Sequence, residues 1–314
     1  MNKNKPKITL VGAGNVGSQT AFYTAIQNLA DLILIDVVEG LPQGKALDIQ
    51  QSLSLTPSTS TVFGTNKYED TKDSDIVVIT AGIARKPGMS REELYAINAN
   101  IIQSIVKNIL LFSPNPIIIV VTNPLDAMVK LVYELSNLPK HRILGMAGTL
   151  DTARFKHFIA QELNCPPQQI ETIVLGTHGD AMVPIISHTK INNQPLTKIL
   201  NQEKIAEIIK RTQQGGAEIV NYLKTGSAFF APALAIVELL NAIINDTKET
   251  LPCSVFLEGE YDIHGIFMGV PVQLGKEGVE KIIKIELSPE EQLQLQHAAE
   301  HIKSITPVNS IKIK

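Results

Sequence analysis

Residues 7–17 read KITLVGAGNVG, a strand-like run that gives way at once to Gly12, Gly14 and Gly17, with a helix-like stretch, 15–29, following. In that setting each glycine has its own use. Gly12 permits a tight turn, Gly14 lets the backbone approach a pyrophosphate, and Gly17 lets helix and strand pack closely. The helix start near Asn15 turns its positive end toward the phosphates. Asp36 ends the next strand, nineteen residues after Gly17, where a carboxylate accepts hydrogen bonds from adenosine ribose hydroxyls. The same carboxylate repels a 2′-phosphate, so NAD is expected rather than NADP. Dinucleotide binding follows from the pattern; it names no reaction.

Working outward, LILID (32–36), DIVVIT (75–80) and PIIIVVT (116–122) are further continuous apolar runs bounded by turns. Such runs suit strands covered on both faces, hence a parallel sheet. Helix-like stretches at 15–29, 40–55, 91–112 and 125–137 separate them, and that alternation predicts a doubly wound α/β domain. After about residue 150 the pattern is mixed: helical stretches near 150–163, 195–224 and 231–245 flank shorter β-like runs, TIVLG, SVFLEG and VPVQLG. Ser288-Pro289-Glu290-Glu291 is a capping box with proline at the first helical position, opening the last helix. The expected division is a dinucleotide-binding domain over 1–145 and a mixed α/β domain over 146–314.

Composition narrows the function classes. A chain of 314 residues with net charge −3 has the size for two packed domains and lacks the basic field that nucleic-acid binding requires. No run of eighteen apolar residues occurs, so no membrane span is expected, and the N-terminus lacks the apolar stretch of a signal peptide. Two cysteines, Cys165 and Cys253, are too few for a disulfide framework or a zinc site, and a reducing cytoplasm is the expected location.

The reacting residues are sought in the second half. GTHGD places His178 between glycines directly after an apolar run, and LDTARF places Asp151 and Arg154 three apart, on one helical face. An aspartate can hold one histidine nitrogen and favour the protonated ring. An arginine beside it can fork onto a carboxylate with two parallel hydrogen bonds.

Together VGAGNVG, TAGIARKPGMSR, VVTNPLD, LDTARF and GTHGD resemble the lactate/malate dehydrogenase superfamily, most closely its lactate-dehydrogenase-like malate dehydrogenases. The resemblance covers nearly the whole chain, in family order. It implies a Rossmann domain followed by a catalytic α/β domain, and reversible hydride transfer between NAD and a 2-hydroxy acid. By the same resemblance His178 is the proton donor and acceptor, and Asp151 orients it. Arg154 clamps the carboxylate beside the reacting carbon, Arg91 leans on the carbonyl oxygen, and Asn123 bonds the substrate. Cofactor contacts are implied at Gly12, Ala13, Gly14, Asn15, Val16, Gly17, Asp36, Asn98, Val121, Thr122 and Asn123. No metal is implied. A homodimer or homotetramer is, with helices near 40–55 and 215–245 as contacts.

The segment GIARKPGMSR (82–91) is a lid in this superfamily, and Arg85 stands where lactate-type enzymes carry glutamine. Arg85 would pair with the second carboxylate of malate or oxaloacetate; burying it over pyruvate would cost about 2–5 kcal/mol. Gly82 and Gly88 are expected to give the segment its freedom. Ala228, in GSAFFAP (226–232), stands where lactate-type enzymes carry threonine and leaves room for a longer diacid; Ser227 is expected nearby, with Phe229 and Phe230 in the core. Lactate dehydrogenase is the same-class rival, separated by Arg85. An NAD-dependent glycosidase needs a metal held by cysteine and histidine, and Cys165 in LNCPP matches no such motif. A binding protein without catalysis would not need His178, Asp151, Arg91 and Arg154 together.

Overall fold

A computed structural model describes residues 5–84 and 89–305, with the side chains of Arg91 and Ile305 outside the described set. Its first half builds six strands: β1 (Lys7–Val11), β2 (Asp31–Ile35), β3 (Val62–Thr65), β4 (Ile76–Ile79), β5 (Ile117–Val120) and β6 (Ile143–Met146). All are parallel, in the order β3-β2-β1-β4-β5-β6. That is the Rossmann order, and its reversal between β1 and β4 marks the crevice where ligands bind. Every residue of β4 and β5 is buried, as unbroken apolar runs require when helices cover both faces.

Alternation across the pleat divides the core into two layers. Ile8, Leu10 and Val78 face α1 (Asn15–Ile26) and α2 (Leu41–Leu53), whereas Val77, Ile79 and Ile118 face α3 (Arg91–Phe112) and α4 (Leu125–Ser136). Helix α3 is long and apolar enough, over Glu92–Phe112, to cross a membrane. Yet Tyr95, Ala99, Ile102, Val106 and Ile109 recur at helical spacing and are buried against the sheet. It is a core helix.

The second half extends the same sheet. After α5 (Gly148–Leu163) come β7 (Ile170–Glu171), β8 (Val174–Gly176), β9 (Met182–Pro184), β10 (Lys190–Ile191) and β11 (Gln194–Pro195). Next are α6 (Leu196–Ile199), α7 (Gln202–Leu223), α8 (Phe230–Ile244), β12 (Thr250–Glu258), β13 (His264–Gly275), β14 (Gly278–Ile282) and α9 (Pro289–Ile305). Strand β12 pairs antiparallel with β6, Cys253 opposite Met146 and Ser254 opposite Gly145, so one sheet runs on through β12-β13-β8-β9. The short β11-β10-β7 sheet stands apart.

Departures from the sequence reading have local causes. The 195–224 stretch is two helices, because Leu200 is extended and the Asn201 side chain caps α7 by accepting the Lys204 amide at 2.9 Å. Strands β3 and β6 carry Gly64 and Gly145 in runs of four, which weakens their strand signal. Gly64 is needed there, since a Cβ would collide with the Pro42 carbonyl. All of SVFLEG but its last glycine belongs to the longer β12, and VPVQLG lies within β13. Phe230, expected in the core, is 59% exposed; it shares the outer face of α8 with Leu234, while Ala233, Ile236, Val237 and Leu240 point inward. The capping box at Ser288 is formed, with the Glu291 amide donating to Ser288 Oγ at 3.2 Å and the Ser288 amide to Glu291 Oε2 at 2.9 Å.

Candidate active site

The turn after β1 is fixed by main-chain bonds. The Gly12 amide donates to the Ile35 carbonyl at 2.8 Å, which ties β1 to the end of β2. Gly12 has φ +111°, and a Cβ there would lie 2.6 Å from Thr80 Oγ1. A Cβ on Gly17 would collide with the Gly12 carbonyl oxygen, so the first turn of α1 rests directly on the strand end. Gly14 is different: nothing lies within 4 Å of where its Cβ would be. It caps α1 with no side-chain bond, leaving the helix start open to an anion.

Asp36 sits beside this turn. Its Oδ2 accepts the Ala13 amide at 2.7 Å and its Oδ1 the Val38 amide at 3.0 Å. Asn66, which sequence reading passed over, donates from Nδ2 to the Asp36 and Val38 carbonyls at 2.7 and 3.1 Å and holds the β2 end in place. A glycine turn open at Gly14 and a carboxylate one residue past β2 are a donor set that fits a dinucleotide.

The ends of β4 and β5 form the next wall. Thr122 Oγ1 donates to the Ala81 carbonyl at 2.7 Å, and the Asn123–Pro124 peptide is cis. Asn98, expected near the cofactor, bonds the backbone with its side chain. Its Oδ1 accepts the Ile83 amide at 2.9 Å, while Nδ2 donates to the carbonyls of Ile83 and Asn123 at 3.2 and 2.7 Å. Wholly buried, it braces two walls together. Gly82 is a packing glycine rather than a free joint: at φ +151° its Cβ would stand 2.6 Å from Thr122 Cγ2. Arg85 and Gly88, and the side chain of Arg91, lie outside the described residues.

The reacting cluster comes from α5 and the loop after β8. His178 Nδ1 lies 2.9 Å from Asp151 Oδ2. A carboxylate can only accept, so Nδ1 carries the hydrogen and Nε2 is left for a ligand. Asp151 is 1% exposed, and its other oxygen is 3.5 Å from Arg154 Nη1. Burial works to lower the His178 pKa, but the charge and hydrogen bond of Asp151 overcome it, and the net shift is upward. Arg154 opposes that rise and Asp126 adds to it. Burial lowers the Arg154 pKa, with Asp151 resisting.

A cleft of about 540 Å³ gathers these parts, its walls including Val16, Val121, Thr122 and Asn123 on one side and Arg154 and His178 on the other. Ser227 and Ala228 line it as expected. A larger groove of about 930 Å³ beside α7 and α9 is lined by Met182, Ile205 and Gln294 among others. Among the described residues no cluster of three or more His, Cys, Asp or Glu could hold a metal. Asp126, at the first turn of α4, also lines the cleft. Sequence reading gave it no role, although it closes the quoted run VVTNPLD; only the fold places it behind His178.

Residues 6–145 match the family model for the lactate/malate dehydrogenase NAD-binding domain, and residues 148–309 that for the alpha/beta C-terminal domain. A malate dehydrogenase from Pelodictyon phaeoclathratiforme is 53% identical over 294 residues, spanning 93% of this chain and 95% of that protein. One from Chloroherpeton thalassium is 48% identical, spanning 97% and 99%. Among solved structures, Cryptosporidium parvum malate dehydrogenase aligns with TM-score 0.93 at 41% identity, over 96% of this chain and 98% of that one. A lactate dehydrogenase from the same organism, complexed with lactic acid and nicotinamide adenine dinucleotide, aligns with TM-score 0.93 and 41% identity over 96% and 97%. Backbone likeness therefore does not separate the two substrates.

Proposed function

The chain belongs to the lactate/malate dehydrogenase family, and from that premise we propose that it interconverts (S)-malate and oxaloacetate with NAD. The meeting of His178, Arg154 and Asn123 in one cleft, with Asp151 bonded to His178 and beside Arg154, carries the reading. The choice of a four-carbon diacid over pyruvate rests on Arg85 and on the malate dehydrogenases that are about half identical to this chain.

Gly12, Ala13, Gly14, Asn15, Val16 and Gly17 would hold the pyrophosphate, Asp36 the adenosine ribose, and Val121, Thr122 and Asn123 the nicotinamide side. Bound there, NAD supplies the ring that accepts or returns the hydride. In reduction, negative charge grows on the carbonyl oxygen of oxaloacetate. His178 Nε2 hands that oxygen a proton, and the positive charge it held beside Asp151 is discharged. In oxidation Nε2 takes the proton from the malate hydroxyl, and Asp151 stabilises the imidazolium so formed. Arg154 forks onto the carboxylate next to the reacting carbon and fixes its face toward the cofactor. Arg91 acts on the same oxygen as its charge develops. Asn98 would stand near the cofactor as well, its side chain bracing Asn123 and Ile83.

The halves 1–145 and 146–314 divide cofactor and substrate work in this reading, which the change from parallel to antiparallel pairing at β6 and β12 supports. A homo-oligomer, dimer or tetramer, accounts for the apolar surface of Leu47 on α2 and Phe230 and Leu234 on α8, each at least half exposed.

Side-by-side assays with NADH test the assignment. Oxaloacetate is expected to be reduced at least about 10³-fold more efficiently than pyruvate, and Arg85→Gln to erode that ratio. Equal turnover of both by the unmodified protein would sink the selector role.

A further inference from the structure

Asp126 is a carboxylate with 5% exposure, set in the wall of the cleft that holds His178. Among the described residues its short side-chain hydrogen bond is with a neutral donor: Ser254 Oγ, on β12, gives its hydrogen to Asp126 Oδ1 at 2.6 Å. A buried carboxylate so sparsely compensated is costly to ionise unless a cation stands near. Burial accordingly pushes Asp126 up to about 6, against the pull of Ser254, of the His178 charge and of the His178 main-chain amide, with Asp151 adding to the rise. The charges that bear on Asp126 include His178 and Asp151, and those on His178 include Asp151, Arg154 and Asp126; Asp180 and His301 line the same cleft.

The histidine thus stands between two acids that do different work. Asp151 holds Nδ1 directly and fixes the tautomer. We propose that Asp126, set in the wall of the same cleft as His178, is a positioning residue for it that favours the charged imidazole, so that two carboxylates sustain the proton donor. Asp126 does not touch the substrate; it acts through His178, and the two groups titrate as a coupled pair. Ser254 keeps Asp126 ionised where the donor must be charged. The inference rests on the dehydrogenase reading above, since it gives the coupling its use.

The experiment follows the His178 ring by carbon–proton NMR in protein with ring-labelled histidine, the resonance being assigned by its loss in His178→Asn. In Asp126→Asn the titration midpoint moves to lower pH, kcat for oxaloacetate at pH 8 falls about tenfold, and the affinity for NADH changes less than about twofold. Ser254→Ala shifts the midpoint in the same direction by less, because without its hydroxyl donor Asp126 ionises less readily. A midpoint in Asp126→Asn that superimposes on the unmodified protein overturns the proposal. Should that variant fail to fold, an unmoved midpoint in Ser254→Ala does so. Protein that shows the coupled titration but no oxaloacetate reduction would refute the proposed reaction and leave the pairing standing.

Discussion

At the Gly12 end of the cleft the deciding contacts are main-chain ones: an amide on the Ile35 carbonyl, a helix start seated on a strand end, an amide of Ala13 on Asp36. At the His178 end they are side-chain contacts between segments far apart in sequence, with Asp151 reaching His178 across 27 residues and Ser254 reaching Asp126 across 128. The first end is shaped by the residues it lacks room for, the second by charges that answer one another. A phosphate needs only amides and space, whereas a proton moves only between groups whose pKa values are tuned.

If the two ends are separable, His178→Asn should lower kcat by about 10²–10⁴-fold and leave NADH binding, followed by its fluorescence, near that of the unmodified protein. Loss of both would break the comparison. Gly17→Ala tests the other end. Its methyl meets the Gly12 carbonyl, and we expect urea denaturation to show a loss of about 3–5 kcal/mol together with weakened NADH binding. Gly14→Ala sharpens the contrast: with open space around the new methyl, stability should fall by no more than about 1 kcal/mol while NADH binding suffers.

Stability against pH separates the ends further, because the charge cluster lies at one of them. Asp126 holds its proton in the folded state up to about 6, whereas the unfolded chain releases it near pH 4. The folded state binds more protons between those values, so stability falls across that window by about 3 kcal/mol. Asp126→Asn should remove that slope in unfolding titrations at pH 4 and pH 6.5. The His178 contribution is complete below its unfolded value of about 6.5 and is lost as pH rises through its raised folded value. His178→Asn should therefore narrow the stability difference between pH 6 and pH 9.

The same contrast decides what can be read from the chain alone. Glycine spacing encodes a turn locally, so Gly12, Gly14, Gly17 and Asp36 were legible as a set, as were the apolar runs of β1, β4 and β5. The family motifs marked His178, Asp151 and Arg154, and the fold brings them together. Asp126 was not legible, because a lone aspartate at a helix start reads as a favourable first-turn charge. Only the pairing of β12 with β6 delivers Ser254 to it. The bracing bonds of Asn98 were not legible either, since no pattern in sequence says which way an asparagine turns. Phe230 was assigned to the core on hydrophobicity alone, which does not say which helical face it occupies.

The unbroken ladder from β6 into β12 has a mechanical consequence. Halves joined by a flexible connector can swing about it like the covers of a book, but these two are also stitched by hydrogen-bonded strands, Cys253 opposite Met146 and Ser254 opposite Gly145. The spacing between the turn after β1 and the His178 imidazole is thus tied to strand register.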